Sequence, residues 1–460
     1  MQTSSNKKKN KAINRLLKIA FFIALFAMIN NLFTFVITPF CTSSTQMWDY
    51  YRAKADERLD MVYVGTSACY EGIDPTIVDE ETGLTSYNMG SNSQTYFCTY
   101  DALAAAIREH HISQAVMSFD EYYLIDGQQH NAKSEAAFSR AQNRGAPITE
   151  YFPRMFSYMF NKEYAGTSFS VNYLFPWLVD RTVLSNKVLE DEFKVKLGLK
   201  QPVISDTNNL RESDGFKPFH YTIDYDKLSV RSSSWNASKV SDEAVDEIRK
   251  IIELCQDNDV KLTFIVPPYP TATILGQGSG YMSRIMYIKK ILADYDGVNY
   301  YDFNMARSEL YEHNSDYFKD ETHMNVEGAT AFSRSLGKLL SMTADGSNAN
   351  SLFYWDWDSY LASVDWIDNV ELSWEAYYGS CVKLKAYART GSAVEVKYLF
   401  QYYDYDNEEY VTFREYDSSN KATFYPETSG KYRFRVIAKK SNGDDGIRRK
   451  KALNVNYFSK

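Results

Sequence analysis

An apolar run from Ile19 to about Thr38 limits this chain more than any other feature. Only Asn30, Asn31 and Thr34 interrupt it. About 20 consecutive apolar residues make a helix long enough to cross the hydrocarbon core of a bilayer. Lys7, Lys8, Lys9, Lys11, Arg15 and Lys18 crowd its N-terminal side, and the next cation is Arg52. That asymmetry assigns residues 1–18 to the cytoplasm as a basic tail and everything beyond the span to the outside. No small-x-small site follows, so residues 19–38 read as a retained signal anchor rather than a cleaved signal peptide. Residues 39–59 are polar and read as a stalk. Cys41, beside the span, is a candidate for acylation or, more simply, an interfacial thiol.

The remaining length exceeds one ordinary domain, so two globular units are expected from the 460 residues. A formal net charge of -8 argues against nucleic acid as a partner, since such binders show a basic face. Cys41, Cys69, Cys98, Cys255 and Cys381 are scattered and odd in number, which excludes a disulfide-stapled scaffold. No Cys or His spacing fits a structural zinc site, and neither a metal nor a cofactor is expected.

From residue 60 to 343 strands alternate with amphipathic helices. The strands are Asp60–Gly65, Gln114–Phe119, Lys261–Val266 and Val298–Phe303. The helices are Tyr100–His110, Ser241–Cys255, Met282–Ala293 and Glu327–Leu340. This rhythm predicts an α/β fold, a parallel sheet with helices on both faces, whose reactive groups gather at the carboxyl ends of the strands. Residues 127–235 break the rhythm and read as a helical insertion, either a wall or lid for the substrate or a segment that merely packs on the sheet. Residues 344–352 are small and polar, a linker. From 353 to 460, alternating segments such as Lys431–Ala438 predict antiparallel strands in a β-sandwich.

Three residues carry the candidate chemistry. Ser67 follows the first strand directly, in Val64-Gly-Thr-Ser67, where Gly65 permits a tight turn. The Gly-x-Ser-x-Gly elbow is absent, because Cys69 stands at the second glycine. Asp320 and His323 lie three apart where loop gives way to helix. A serine hydroxyl needs an imidazole to take its proton and an acid to hold that imidazole in the right tautomer. Cys69 is the weaker candidate nucleophile, lacking an evident cause for a low thiol pKa. Asp320 and Thr322 as mere helix-start caps are the plain alternative.

These residues resemble the blocks of the SGNH (GDSL-type) hydrolase family, in its membrane-anchored branch acting on bacterial surface polysaccharides. Val64-Gly65-Thr66-Ser67 is similar to the first block, with Thr66 in place of the usual Asp. Tyr87-Asn88-Met89-Gly90 is similar to the second and Asp320-Glu-Thr-His323 to the fifth. The resemblance covers about residues 60–342. It implies a flavodoxin-like sheet, with Ser67 as nucleophile, His323 as base and Asp320 as orienting acid. The amides of Ser67 and Gly90 are the implied oxyanion donors. The third block's asparagine is missing from Ser118-Phe-Asp-Glu-Tyr122, and Asn92 is the candidate replacement. Gly430-Lys-Tyr-Arg-Phe-Arg-Val436, with Tyr398, Tyr402 and Tyr403, resembles triple-tyrosine Ig-like modules of exported proteins, which act as carbohydrate binders or spacers.

The implied activity is that of an extracellular O-acyltransferase or esterase moving an acyl group, acetyl in the first instance, on a cell-surface polysaccharide. The transferase form implies a multispan membrane protein as acyl donor. A degenerate, glycan-binding surface scaffold and D-alanyl transfer to teichoic acid are the alternatives.

Overall fold

The computed structural model describes residues 2–39, 42–144, 146–160, 171–178, 181, 184–200, 211–212, 214–225, 228, 235–441 and 449–458. Cys41 lies outside them, as does part of the 127–235 insertion. Helix α1 (Gln2–Ile37) opens the chain, and Ala12–Ile37 within it is apolar and long enough to cross a membrane. Residues 42–53 depart from the stalk expectation for 39–59. Thr42 caps helix α2 (Ser43–Ala53) through a reciprocal bond with Thr45, and Met47, Trp48 and Tyr51 are buried in the main core. The polar residues mask an amphipathic helix whose large side chains recur at i, i+1 and i+4.

The first domain is a five-stranded parallel sheet ordered β2-β1-β3-β4-β5, the flavodoxin-like order. Its strands are β1 (Met61–Gly65), β2 (Ser86–Asn88), β3 (Gln114–Ser118), β4 (Lys261–Val266) and β5 (Asn299–Asp302). Between β1 and β2 lie α3 (Ser67–Gly72) and α4 (Pro75–Thr82). Helix α5 (Tyr96–His110) precedes β3. The insertion contributes α6 (Ala132–Asn143), α7 (Ile148–Phe160) and α8 (Asn186–Lys196). After it come α9 (Asp242–Gln256), α10 (Thr271–Gln277), α11 (Gly280–Leu292) and α12 (Val326–Met342).

Alternation along β1 divides two cores. Val62 and Val64 face α2, α5 and α9, whereas Met61 and Tyr63 face α4 and α12. Side-chain caps fix where helices start: Ser241 accepts from Ala244 N, Asp74 from Thr76 N beside Pro75, and Asn325 from Gly328 N.

The last unit begins with α13 (Trp357–Ser363), whose Tyr360 joins the main core of the first domain. Two antiparallel sheets follow, ordered β10-β7-β6 and β12-β11-β8-β9. They comprise β6 (Ile367–Tyr377), β7 (Cys381–Thr390), β8 (Val396–Asp404), β9 (Glu409–Asp417), β10 (Lys421–Phe424), β11 (Gly430–Lys440) and β12 (Arg449–Tyr457). Their inner faces pack Val382, Leu384, Phe400, Phe434 and Val436 into one sandwich core. The sandwich is docked on the first domain: Asp368, buried at the start of β6, accepts from Ala272 N at 2.7 Å, and Arg449 donates to Ser315 Oγ at 2.6 Å.

Candidate active site

Gly65 ends β1 at a crossing that admits no side chain. Its φ is +143°, and a Cβ there would lie 2.6 Å from Ser118 O. Its N–H donates to Gln94 Oε1 at 2.7 Å, and Gln94, itself buried, donates onward to Met89 O at 2.8 Å. The chain then turns into α3, so Ser67 emerges half-buried at the carboxyl edge of the sheet. The Ser67 amide belongs to the first turn of α3, where no acceptor within the helix exists for it.

The far side of the site is a pinched loop. Phe318 pairs with Met324, and Lys319 N donates to His323 O at 3.0 Å. Asp320 Oδ1 accepts from the amides of Thr322 and His323, each at 2.8 Å. Asp320 does not cap the following helix, whose N-cap is Asn325; it caps its own loop instead, and the same carboxylate also faces the imidazole. His323 Nδ1 lies 2.9 Å from both Asp320 oxygens, and His323 Nε2 lies 2.7 Å from Ser67 Oγ. Three side chains 256 residues apart at their extremes thus form one hydrogen-bonded chain. Burial acts to raise the Asp320 pKa, but the hydrogen bond and charge of His323 outweigh it and bring it down to about 2. The carboxylate stays ionised at neutral pH and selects the His323 tautomer with its proton on Nδ1.

The two remaining residues singled out by sequence stand differently. Gly90 is buried, and its amide donates to Asn88 Oδ1 at 3.0 Å in this conformation. Asn88 is fully engaged, since its Nδ2 donates to Cys69 O and Ile73 O. Asn92 is exposed at the rim, its amide bonded to Ser43 Oγ at 3.1 Å. Cys69 is on the buried face of α3, and burial pushes its thiol pKa up, the reverse of what a thiolate nucleophile needs.

Sequence reasoning missed Glu71, Lys217, Lys319 and Gln94. Glu71 lies four residues after Ser67, hence on the same helical face. Its carboxylate pairs with Lys319 Nζ at 2.7 Å and lies 3.9 Å from His323 Nε2. Lys319 and Lys217 flank the Phe219 ring, at 3.2 and 4.6 Å from its centroid. Only the i, i+4 spacing of Ser67 and Glu71 was readable in advance. Lys217 is brought in by residues 214–219, where Lys217 N donates to Tyr70 O at 2.8 Å, Lys319 by the pinched loop, and Gln94 by its bonds to Gly65 and Met89. Glu71, Lys217, Lys319 and Asn92 line a cavity of about 490 Å³.

No protein-family model and no curated protein matches this chain by sequence. Among solved structures it is similar to a GDSL-like lipase from Bacteroides thetaiotaomicron, with 10% identity and a TM-score of 0.28, over 65% of this chain and 98% of that one. A smaller part, 20% of this chain, is similar to 95% of the PKD1 domain of a Vibrio cholerae metalloprotease, with 12% identity and a TM-score of 0.15.

Proposed function

We propose that this protein is a membrane-anchored serine acyltransferase or esterase acting on acyl groups of a cell-surface polysaccharide. The observation that carries the reading is the Ser67–His323–Asp320 chain, at 2.7 and 2.9 Å. Ser67 Oγ attacks the acyl carbonyl while His323 Nε2 takes its proton. The tetrahedral intermediate collapses, and His323 returns the proton to the departing alkoxide. The acyl-serine is then resolved by a sugar hydroxyl, giving transfer, or by water, giving hydrolysis. The Ser67 amide is the first oxyanion donor. Gly90 becomes the second by exchanging Asn88 Oδ1 for the oxyanion, and the Asn92 side chain at the cavity rim is the third.

Anchoring, rather than cleavage of the N-terminal helix, is supported by contacts from α1 to the folded domain. Asn30 Nδ2 donates to Leu174 O at 2.7 Å, and Lys196 donates to the carbonyls of Phe35 and Thr38. A multispan partner supplies the acyl group in the transfer reading. The scaffold alternative draws on the exposed aromatics of the sandwich, Trp374, Tyr377, Tyr387 and Tyr425, which suit stacking on sugars.

The deciding experiment is intact mass of the full chain in detergent after a serine-directed phosphonate. One adduct on the wild type and none on Ser67→Ala supports the serine mechanism. No adduct on folded wild type removes it and leaves the scaffold.

A further inference from the structure

The apolar run carries a polar residue where the insertion meets it. Asn30 uses both halves of its amide on that segment: Nδ2 donates to Leu174 O at 2.7 Å, and Oδ1 accepts from Trp177 Nε1 at 2.9 Å. Rings close around this clamp, with Phe26 edge-on to Phe175 at 5.9 Å and Phe33 beside Trp177 at 5.7 Å. Farther along α1, Phe35 meets Phe193 of α8 at 5.8 Å. A helix rises ~1.5 Å per residue, so Asn30 lies roughly 12 Å and Phe26 roughly 18 Å inward from Thr38, where the apolar run ends. With residues 19–38 filling a hydrocarbon core of about 30 Å, the segment that touches them lies at membrane depth. The link is too short to lift the domain clear. Residues 38–42 alone separate α1 from α2, whose Met47, Trp48 and Tyr51 are already in the core, and they reach at most roughly 20 Å.

Backbone at that depth has to find partners within the protein, and a polar side chain in a spanning helix is costly unless paired. Residues 171–178 carry such pairings. Phe175 N donates to Val171 O at 2.9 Å, Leu178 N donates to Phe175 O at 3.0 Å, and Asn172 O accepts from Arg140 Nη1 at 3.2 Å. Beside this segment, α7 is apolar on two faces. Met155, Tyr158 and Met159 pack with Tyr173. On the other face Phe152 and Phe156 stack at 6.4 Å and are 47% and 51% exposed, and Phe160 stacks on Phe156 at 6.0 Å. The only charged residues of α7, Glu150 and Arg154, pair with each other at 3.7 Å. Tyr151 lines one cavity with Ala27, Asn30 and Asn31 of α1, which puts the first turn of α7 near the same depth. A phenylalanine stripe is badly solvated by water and well solvated by the acyl chains of a leaflet.

We infer that the insertion is a second membrane element. Residues 171–178, fastened to α1 by Asn30, enter the leaflet at the C-terminal end of the span, and the phenylalanine face of α7 lies against the acyl chains of that leaflet. The inference rests on the anchor reading and deepens it, because a domain held at two places keeps one orientation to the membrane and a tethered one does not. Lipid is the occupant that the contacts favour, since the rings of the insertion continue the surface of α1, which is apolar and unburied along its span.

The test is photocrosslinking of the full chain in phosphatidylglycerol nanodiscs, with p-benzoylphenylalanine placed at Phe22, Phe156, Leu178 or Tyr425 and adducts read by intact mass. All four positions are exposed; Phe22 on α1 reports the anchor, and Tyr425 on the sandwich reports background. Phe156 and Leu178 are expected to gain the mass of one lipid at a yield comparable to that of Phe22, and Tyr425 to gain none. Asn30→Leu should lower the Leu178 yield roughly fivefold or more and leave Phe22 unchanged, because two hydrogen bonds made in lipid are lost. Lipid on Phe22, with either insertion site lacking it, overturns the inference and leaves the anchor standing; no lipid on Phe22 overturns the anchor itself. A second copy of the chain captured at Phe156 or Leu178, or a protein adduct there when the same variants are photolysed in cell membranes, overturns lipid as the occupant. An Asn30→Leu variant with the full Leu178 yield removes Asn30 as the fastening.

Discussion

Glu71 and Lys319 form a buried ion pair, 2.7 Å apart with side chains 6% and 7% exposed, directly beside His323. Removing one partner of such a pair strands a charge in a poorly hydrated place, whereas replacing both by apolar groups is often nearly neutral. Lys319→Met is therefore expected to destabilise the fold by about 3–5 kcal/mol, and Lys319→Met with Glu71→Leu to recover most of that loss. Urea unfolding of the full chain in detergent measures both. A neutral single variant would show that the pair is hydrated in solution.

Asp320 has two duties that different substitutions separate. Asp320→Asn keeps an oxygen for the Thr322 and His323 amides but withdraws the anion from His323, and the phosphonate reaction should slow by ~10³–10⁴. Asp320→Ala also removes the loop caps, so it should add a loss of thermal stability that the asparagine variant lacks. The sign of the pH effect follows from a folded pKa of about 2 against the ordinary 3.8. The carboxylate contributes stability above the unfolded value, and that contribution disappears as pH falls from about 4 to about 2. An acid titration of wild type beside Asp320→Asn reads the difference; identical curves would refute the pairing.

Gly65→Ala tests the crossing that delivers Ser67. The new methyl meets Ser118 O at 2.6 Å in a backbone region that side chains rarely adopt. Strain and overpacking together should lower stability by about 2–5 kcal/mol. Phosphonate reactivity at Ser67 should fall in whatever fraction stays folded, because β1 must shift to relieve the clash. Full stability and reactivity would mean the turn tolerates a side chain.

How much of this was legible depended on the range of the interactions. The parallel sheet announced itself through apolar runs such as Lys261–Val266, and Ser67, Asp320 and His323 stood in recognisable local patterns. The three-residue strand Ser86–Asn88 is too short to show alternation, and α2 hid behind polar residues because only one face of it is apolar. β9 and β12 escaped because charged residues interrupt their alternation, as in Arg449-Lys-Lys-Ala, where Arg449 and Lys451 bond to the first domain and Lys450 is exposed. Glu71 offered only its i, i+4 spacing from Ser67, and Lys217 and Lys319 offered no pattern, since their approach to Glu71 depends on the return of residues 214–219 and on the pinched loop of Phe318 and Met324. Burial, not sequence spacing, makes those charges notable.

The last prediction concerns how the insertion is held. His130 places Nδ1 3.0 Å from Glu135 Oε1 and Nε2 3.1 Å from Glu243 Oε1, so one imidazolium ties α6 to α9. Burial acts to lower its pKa, but hydrogen bonds and charges from Glu135 and Glu243 outweigh that and raise it to about 9. The raised value means that the clamp stabilises fully below the ordinary 6.5 and is lost as pH rises through about 9. Glu135 is buried and its carboxyl is pushed up by that burial, which adds to the loss at a lower pH, so the informative comparison is pH 6.5 against pH 9.5. Thermal unfolding of the wild type should shift downward across that interval, and His130→Gln should flatten the dependence because its amide does not titrate. A His130→Gln variant with the wild-type pH profile of thermal unfolding would show that the two carboxylates hold the insertion without it.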